Sequence, residues 1–404
     1  MPGKRQHPEE HGKPAAAGRA MPEQKGRGAA HNPANRFDRL ELPWDPEWLE
    51  HEQVTENRGW RPATEFFSDT SKSVLSENNS PDLGFRWSLN PYRGCEHGCS
   101  YCYARPSHEY LGYSAGLDFE TRIMVKREAP ALLAQKLRSK SWRPEPILLS
   151  GNTDCYQPVE RRLGLTRACL EVFLAARHPV LVITKNHMVL RDLDLLEALA
   201  AHNLVSVTIS VTTLDPALAA AMEPRASTPS KRLEAIAALA QAGVPVRVNT
   251  APLIPGLNDH EAPAILTAAA ARGATAGNYI LLRLPHGLKE LFVDWLERNY
   301  PASKNKVLNA IRDARGGRLS DPRFGSRMRG EGPRADAIAK LFDLTCRRLG
   351  LERTLPELET GLFRPPPKAA APPPGEPTPP PAESSPPPGG STPPPAQGEL
   401  FDRP

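Results

Sequence analysis

Long hydrophobic runs are missing from this 404-residue sequence. No stretch approaches the ~18 consecutive apolar residues of a membrane helix, and the N-terminus lacks the apolar centre of a secretory signal. A soluble, cytoplasmic protein is therefore expected. Cysteine is scarce: six residues in the whole chain cannot form the disulfide framework of a secreted scaffold. Three of the six nevertheless fall within eight positions, which in a reducing compartment points to a metal or to catalysis. Aromatic residues make up only 6%, yet a chain this long with 39% hydrophobic residues can bury one substantial core and a smaller second one. A net charge of +5 leans toward a polyanionic partner.

Proline is in excess. Seventeen of the 45 prolines lie in the last forty residues, so residues 361–404 are expected to form a disordered, semi-rigid tail. Residues 1–36 are polar, basic and without hydrophobic period, as in a flexible arm. Residues 37–84 scatter Trp44, Trp48, Trp60, Phe66 and Phe67 among polar side chains, as in an extension that wraps a core. From 85 to 286, short β-branched or apolar runs (85–90, 146–150, 180–184, 205–211, 244–249, 279–284) alternate with helical patterns (131–140, 161–177, 190–202, 230–242, 261–272). Six strands in this rhythm suit a parallel barrel or partial barrel, which places its chemistry on the loops after the strands. Residues 287–360 turn helical, at 288–299 and 336–349, around a Gly/Arg-rich stretch. The class expected is α/β: a partial (β/α)6 barrel with a helical C-terminal extension and disordered termini.

The strongest local signal follows the first strand: Asn90-Pro91-Tyr92-Arg93-Gly94-Cys95-Glu96-His97-Gly98-Cys99-Ser100-Tyr101-Cys102-Tyr103. Three thiolates so spaced can converge on one side of a tight loop whose turns Gly94 and Gly98 permit. Structural zinc wants four ligands, and His97 is too close in sequence to serve as a comfortable fourth. An iron–sulfur cluster held by three cysteines leaves one iron open to a substrate or cofactor.

This C-x3-C-x-Tyr-C pattern after strand one of a βα repeat resembles the radical S-adenosylmethionine enzymes. Its Cys99-Ser100-Tyr101-Cys102-Tyr103 context, with segments 90–111, 150–160 and 321–333, is similar to the spore photoproduct lyase-like branch, and the resemblance spans residues 28–352. It implies a 4Fe-4S cluster on Cys95, Cys99 and Cys102, with S-adenosyl-L-methionine on the open iron, cleaved by one electron to a 5′-deoxyadenosyl radical. It implies that Tyr101 lies against the adenine, that Ser150, Gly151 and Asn152 receive the cofactor's amino group, and that Lys185 meets its carboxylate. Ser210 and Thr212 are candidates for the ribose, Glu223 for ribose or phosphate, and Asn249 ends the fifth strand beside the 253–259 turn that flanks the adenine. Cys155 is a candidate hydrogen-atom donor in catalysis, whereas Cys169 and Cys346 read as packing residues.

For the substrate, the arginines of 311–334 suggest phosphate contacts, with Arg323, Arg327 and Arg329 as the nucleic-acid candidates. The tail ends in Gln397-x-x-Leu400-Phe401, which resembles the peptide that docks repair proteins on the DNA sliding clamp. The expected function is radical chemistry on nucleic acid, as in lyase-type DNA repair, fed by a flavodoxin- or ferredoxin-like electron donor. Modification of RNA or of a peptide, and a metal-stabilised non-enzymatic adaptor, are the alternatives.

Overall fold

The computed structural model describes residues 26–37 and 62–367. Six parallel strands form its centre: β1 (Trp87–Leu89), β2 (Ile147–Leu149), β3 (Val180–Thr184), β4 (Val205–Ser210), β5 (Val246–Leu253) and β6 (Ala276–Leu281), hydrogen-bonded in that order. Leu75–Glu77 adds an antiparallel strand on the outer edge of β1, so the sheet is an open, incomplete barrel. Five helices form the outer layer: α1 (Ala129–Leu137), α2 (Leu165–Ala176), α3 (Leu193–Ala200), α4 (Pro229–Gln241) and α5 (Ala262–Ala270). The C-terminal extension is α6 (Leu288–Asn299), α7 (Lys304–Asp313) and α8 (Pro333–Leu349). This is the partial (β/α)6 barrel that the sequence predicts.

Strand alternation explains which face does what. In β4, Val205, Val207 and Ile209 join Leu196, Leu199, Ile236 and Leu239 in the core between sheet and helices. Ser206, Thr208 and Ser210 are equally buried but point the other way, into the barrel. Each fully buried aliphatic side chain contributes about 1.5–3 kcal/mol, so the outward face carries stability and leaves the inward face free for polar groups.

Three boundaries differ from the sequence expectation. The single helix expected over 161–177 is broken into Glu160–Leu163 and α2 because Gly164 adopts φ +64°, a left-handed turn that ends the first piece. Residues 26–37 are not part of a flexible arm but pack on the cysteine loop. Likewise, residues 361–367 lie along α2, where Arg364 N–H donates to Ala176 O (2.9 Å) and Phe363 meets the His178 ring edge-on (5.5 Å). The sequence expectation missed α7 because its buried set, Val307, Leu308, Ala310 and Ile311, is embedded in polar residues.

The free edge of β6 is covered by arginines. Arg315 donates to the carbonyls of Leu281 and Leu282, Arg329 to Tyr279 O (3.0 Å) and Arg353 to Gly277 O (3.0 Å). Gly277 N–H itself donates to Glu352 O (2.9 Å). An exposed strand edge invites pairing with another chain, and these contacts remove it.

His178, fully buried beside Trp142, Phe173 and Phe363, is neutral by construction: Trp142 Nε1–H donates to its Nε2 (3.2 Å), so Nδ1 carries the proton to Pro179 O (2.9 Å). Burial lowers it from 6.5 to about 4, against the Pro179 carbonyl. Because the folded value lies below the unfolded one, His178 supports the fold above pH 6.5 and that support is lost as pH falls toward 4. Urea midpoints should show about 2 kcal/mol lost from this group between pH 7 and pH 5. His178→Gln, which takes up no proton there, should flatten that part of the profile; an unchanged profile would refute the assignment.

Candidate active site

The cysteine loop leaves β1 and is bracketed by a small sheet. Tyr92–Arg93 pairs antiparallel with Arg122–Val125, which pairs in parallel with Glu65–Ser68. Within the bracket, Cys95 N–H donates to Phe119 O (2.8 Å), Ser100 N–H to Met222 O (3.0 Å), and Arg105 donates twice to Cys99 O (2.8 and 3.0 Å). Cys95 and Cys99 are buried and Cys102 is half-buried. Burial and the nearby Glu223 carboxylate push the Cys99 thiol up, and burial and Cys95 push Cys102 up. Thiols that resist ionising side by side become a good ligand set once a cationic centre removes that cost. Among the described residues no three His, Cys, Asp or Glu side chains are gathered for a single ion. Three cysteines on one loop are the donor set of a polynuclear iron–sulfur cluster, each thiolate of which would hold a different iron.

The loop is roofed by residues 26–37. Glu120, fully buried, receives Gly28 N–H (3.1 Å) and Ala29 N–H (2.8 Å) and pairs with Arg105 Nη2 (2.5 Å). Gly28 passes so close that a Cβ there would stand 1.8 Å from Gly98 O, so no other residue fits. None of Gly28, Arg105 or Glu120 carries a signal in the sequence.

His97 ties this loop to those after β2 and β3. Its Nδ1 lies 3.4 Å from Asp154 Oδ2 and its Nε2 lies 3.3 Å from Asn186 Nδ2. Asp154 also accepts from Thr184 Oγ1 (2.7 Å) and Lys185 N–H (2.8 Å). Burial alone would lower His97, but Asp154 and Cys95 hold it up at about 10; burial would raise Asp154, but His97 holds it down at about 2. The position of His97 inside the cysteine spacing was a visible signal, while Asp154 was masked by its loop.

Tyr101 turns inward onto a second buried pair. Its hydroxyl donates to Glu223, whose other oxygen takes Arg232; Thr212 Oγ1 also donates to Glu223 (2.7 Å). Burial would raise Glu223, but Arg232 and Lys185 hold it down at about 2. Lys185 Nζ stands 5.9 Å over the Tyr101 ring. Thr212, expected at the ribose, and Glu223, expected at ribose or phosphate, are thus both hydrogen-bonded with Tyr101 or with each other. Arg232 was detectable as a charge on the apolar stripe of α4, beside Leu233, Ile236 and Leu239.

The other expected cofactor contacts do gather at the same end of the barrel. Ser150 Oγ donates to Thr153 O (2.5 Å), Asn152 N–H donates to Asn90 Oδ1 (2.8 Å), and Gly151 O accepts from Tyr103 (2.5 Å). Asn249 Oδ1 accepts from Asn278 (3.2 Å), so Ser206, Thr208, Ser210, Asn249 and Asn278 line the lumen with hydroxyls and amides.

Two further expectations concern Cys155 and three arginines. Cys155 is fully buried, near Cys169 and Glu160, and its thiol is hydrogen-bonded with Ser150, one of the residues expected at the cofactor. The three arginines proposed for nucleic acid also have partners within the chain: Arg323 has Asp321 and Glu331, Arg327 has Asp82 and Ser80, and Arg329 has Tyr279 O and Asn278. Gln397, Leu400 and Phe401 lie outside the described residues.

With this geometry in view, the chain can be set beside known proteins. The radical SAM superfamily model matches residues 89–269. An uncharacterized protein of Mycobacterium tuberculosis is 39% identical over 233 residues, covering 57% of this chain and 68% of the relative. One from Methanocaldococcus jannaschii is 28% identical over 227 residues, 56% and 81% respectively. The chain belongs to the radical SAM superfamily. Among solved structures, spore photoproduct lyase complexed with dinucleoside spore photoproduct shares the fold, with TM-score 0.53 and 16% identity over 75% of this chain and 87% of that one. The superfamily implies a 4Fe-4S cluster and S-adenosylmethionine. Among the described residues no helix is long and apolar enough to cross a membrane.

Proposed function

We propose that this chain is a radical S-adenosylmethionine enzyme acting on nucleic acid, as a lyase that repairs a DNA lesion. The observation that carries the reading is the loop of three buried or half-buried cysteines at the mouth of a barrel with a polar lumen. Cys95, Cys99 and Cys102 would hold the cluster, and Lys185 the cofactor's carboxylate. Ser150, Gly151 and Asn152 would receive its amino group, and Ser210 and Asn249 its sugar. When bound, the pair supplies one-electron cleavage of a sulfonium to a 5′-deoxyadenosyl radical, for which a flavodoxin- or ferredoxin-like protein is the donor class.

The chain's own residues prepare that chemistry. Arg105 grips the Cys99 carbonyl and Glu120 pins residues 28 and 29 over the loop, which keeps water and oxygen from its outer side. Asp154 fixes the backbone of Lys185 and so sets where the ammonium stands. Glu223 and Arg232 lock the Tyr101 hydroxyl away, leaving its ring as a wall. The lumen's hydroxyls and amides suit the edges of a base turned out of its stack, and the solved structure of similar fold is complexed with a dinucleoside spore photoproduct.

The test is anaerobic reconstitution with iron and sulfide, reduction with S-adenosylmethionine present, and assay of 5′-deoxyadenosine beside a Cys95/Cys99/Cys102→Ala control. Release by the wild type and a loss of at least about 10³-fold in the control are expected, the size of effect that follows loss of an essential centre. No cleavage by a wild type that holds its cluster would reject the enzyme reading in favour of an adaptor. Screening lesion-bearing DNA, RNA and peptides then separates the substrate classes.

A further inference from the structure

A second feature lies at the rim of the barrel, outside the cysteine loop and its buried pairs. Tyr103 follows the third cysteine, and its ring remains 44% exposed although its hydroxyl is anchored on Gly151 O. Arg283, on the segment that follows β6, sets its guanidinium 5.3 Å over that ring. Next along the rim comes Arg327, close enough to Arg283 for the two charges to repel, with its guanidinium 4.4 Å over the ring of Phe324. Phe324 is 47% exposed. Two exposed aromatic rings, each overlaid by an arginine, thus flank the two arginines along one strip: Tyr103, Arg283, Arg327, Phe324.

The two cations differ in what they have left to give. Arg327 is neutralised by Asp82 (2.5 Å) and bound by Ser80, so it orients Phe324 and has little charge to offer. Arg283 makes no salt bridge among the described residues, although Asp82 lies near enough to act on its charge; the hydrogen bond it makes there is to Met328 Sδ at 3.8 Å. A guanidinium carries five donors in a planar fork, and here nearly all of them are unused, on a half-buried side chain where an anion is screened less than at the open surface.

We infer that this strip is a landing site for a single-stranded or extruded nucleic-acid segment, with a backbone phosphate on Arg283 and bases stacked on Tyr103 and Phe324. The inference rests on the nucleic-acid reading above and adds to it where the strand lies. Rings that accept any base face, interleaved with a cation for the backbone, are what binding of unpaired strands requires. It also adds to Arg323, Arg327 and Arg329, which have partners within the chain, an arginine outside that run.

Fluorescence anisotropy of full-length protein with labelled single-stranded deoxy- and ribo-oligonucleotides of one sequence, over a salt series, tests it. Arg283→Ala should weaken binding about tenfold and reduce the salt slope by about 0.7, the share of one phosphate on a single strand. Arg283→Lys should keep the slope, and Phe324→Ala should weaken binding about fivefold or more with the slope unchanged. Melting temperature checks that each variant is folded. Binding of either oligonucleotide with these responses supports the strip. If the wild type binds and both alanine variants match it in affinity and slope, the strip is wrong while the nucleic-acid reading stands. If the wild type binds neither oligonucleotide, both fall together.

Discussion

An Arg232→Ala variant is expected to lose about 3–5 kcal/mol of folding stability, the cost of leaving a buried charge without its partner. Arg232 is nearly fully buried and does more than neutralise Glu223. It also donates to Ser227 O (2.8 Å) and Ser210 O (3.1 Å), so its removal strands two carbonyls as well as a carboxylate. Water cannot reach Glu223 to compensate, because that residue is only 2% exposed. Arg232→Lys should recover part of the loss, since it restores the charge but cannot reproduce the fork that reaches three acceptors. Urea unfolding measures both. A loss under about 1 kcal/mol for the alanine variant would mean that the pair is not closed as described. Because Glu223 also holds Tyr101, iron content after reconstitution should fall in the alanine variant beyond what its folded fraction explains.

The second large effect is expected at Glu120. Its two oxygens serve Arg105, Gly28 and Ala29, and its carbonyl accepts from Arg27 (2.8 Å). Glu120→Ala leaves Arg105 charged and fully buried without its carboxylate, again a cost of about 3–5 kcal/mol. Here the penalty has a local outlet. Residues 26–37 can detach before the barrel does, as weakly tied segments do in sub-global opening. Hydrogen exchange should therefore rise first in 26–37, then in the cysteine loop, while β3 to β5 keep their protection. Uniform loss of protection across the barrel would contradict this order, and so would wild-type protection of 26–37.

Both predictions involve pairs that sequence alone could not assemble. Glu120 sits in a short helix with no pattern to mark it, and its partners Gly28 and Ala29 are 92 and 91 residues away. Arg232 is visible in the sequence as a misplaced charge on an apolar stripe, but nothing there marks Glu223 as the carboxylate that receives it. The arginines of 311–334 looked like a phosphate-binding run because charge density is a property of sequence. Whether each charge is free depends on Asp82, Asp321 and Glu331, and on the edge of β6, which the fold alone brings within reach.

What the sequence determined by itself was local and periodic. The spacing of Cys95, Cys99 and Cys102 and the alternation of short apolar runs with helical stripes both act over a few residues, so the ligand loop and the βα barrel were readable without coordinates. That residues 150–152 and Lys185 follow the ends of β2 and β3 was readable too, and a parallel barrel sends every strand's end to the same mouth. Only the tertiary structure decided which polar groups are consumed and which are free. It buried Cys155 against Ser150, tied Thr212 and Glu223 to Tyr101, folded residues 26–37 over the cysteine loop, and left Arg283 without a salt bridge among the described residues. Such outcomes follow from contacts between residues far apart in the chain, and a hydrogen-bonding group is free or spent only once its neighbours are in place.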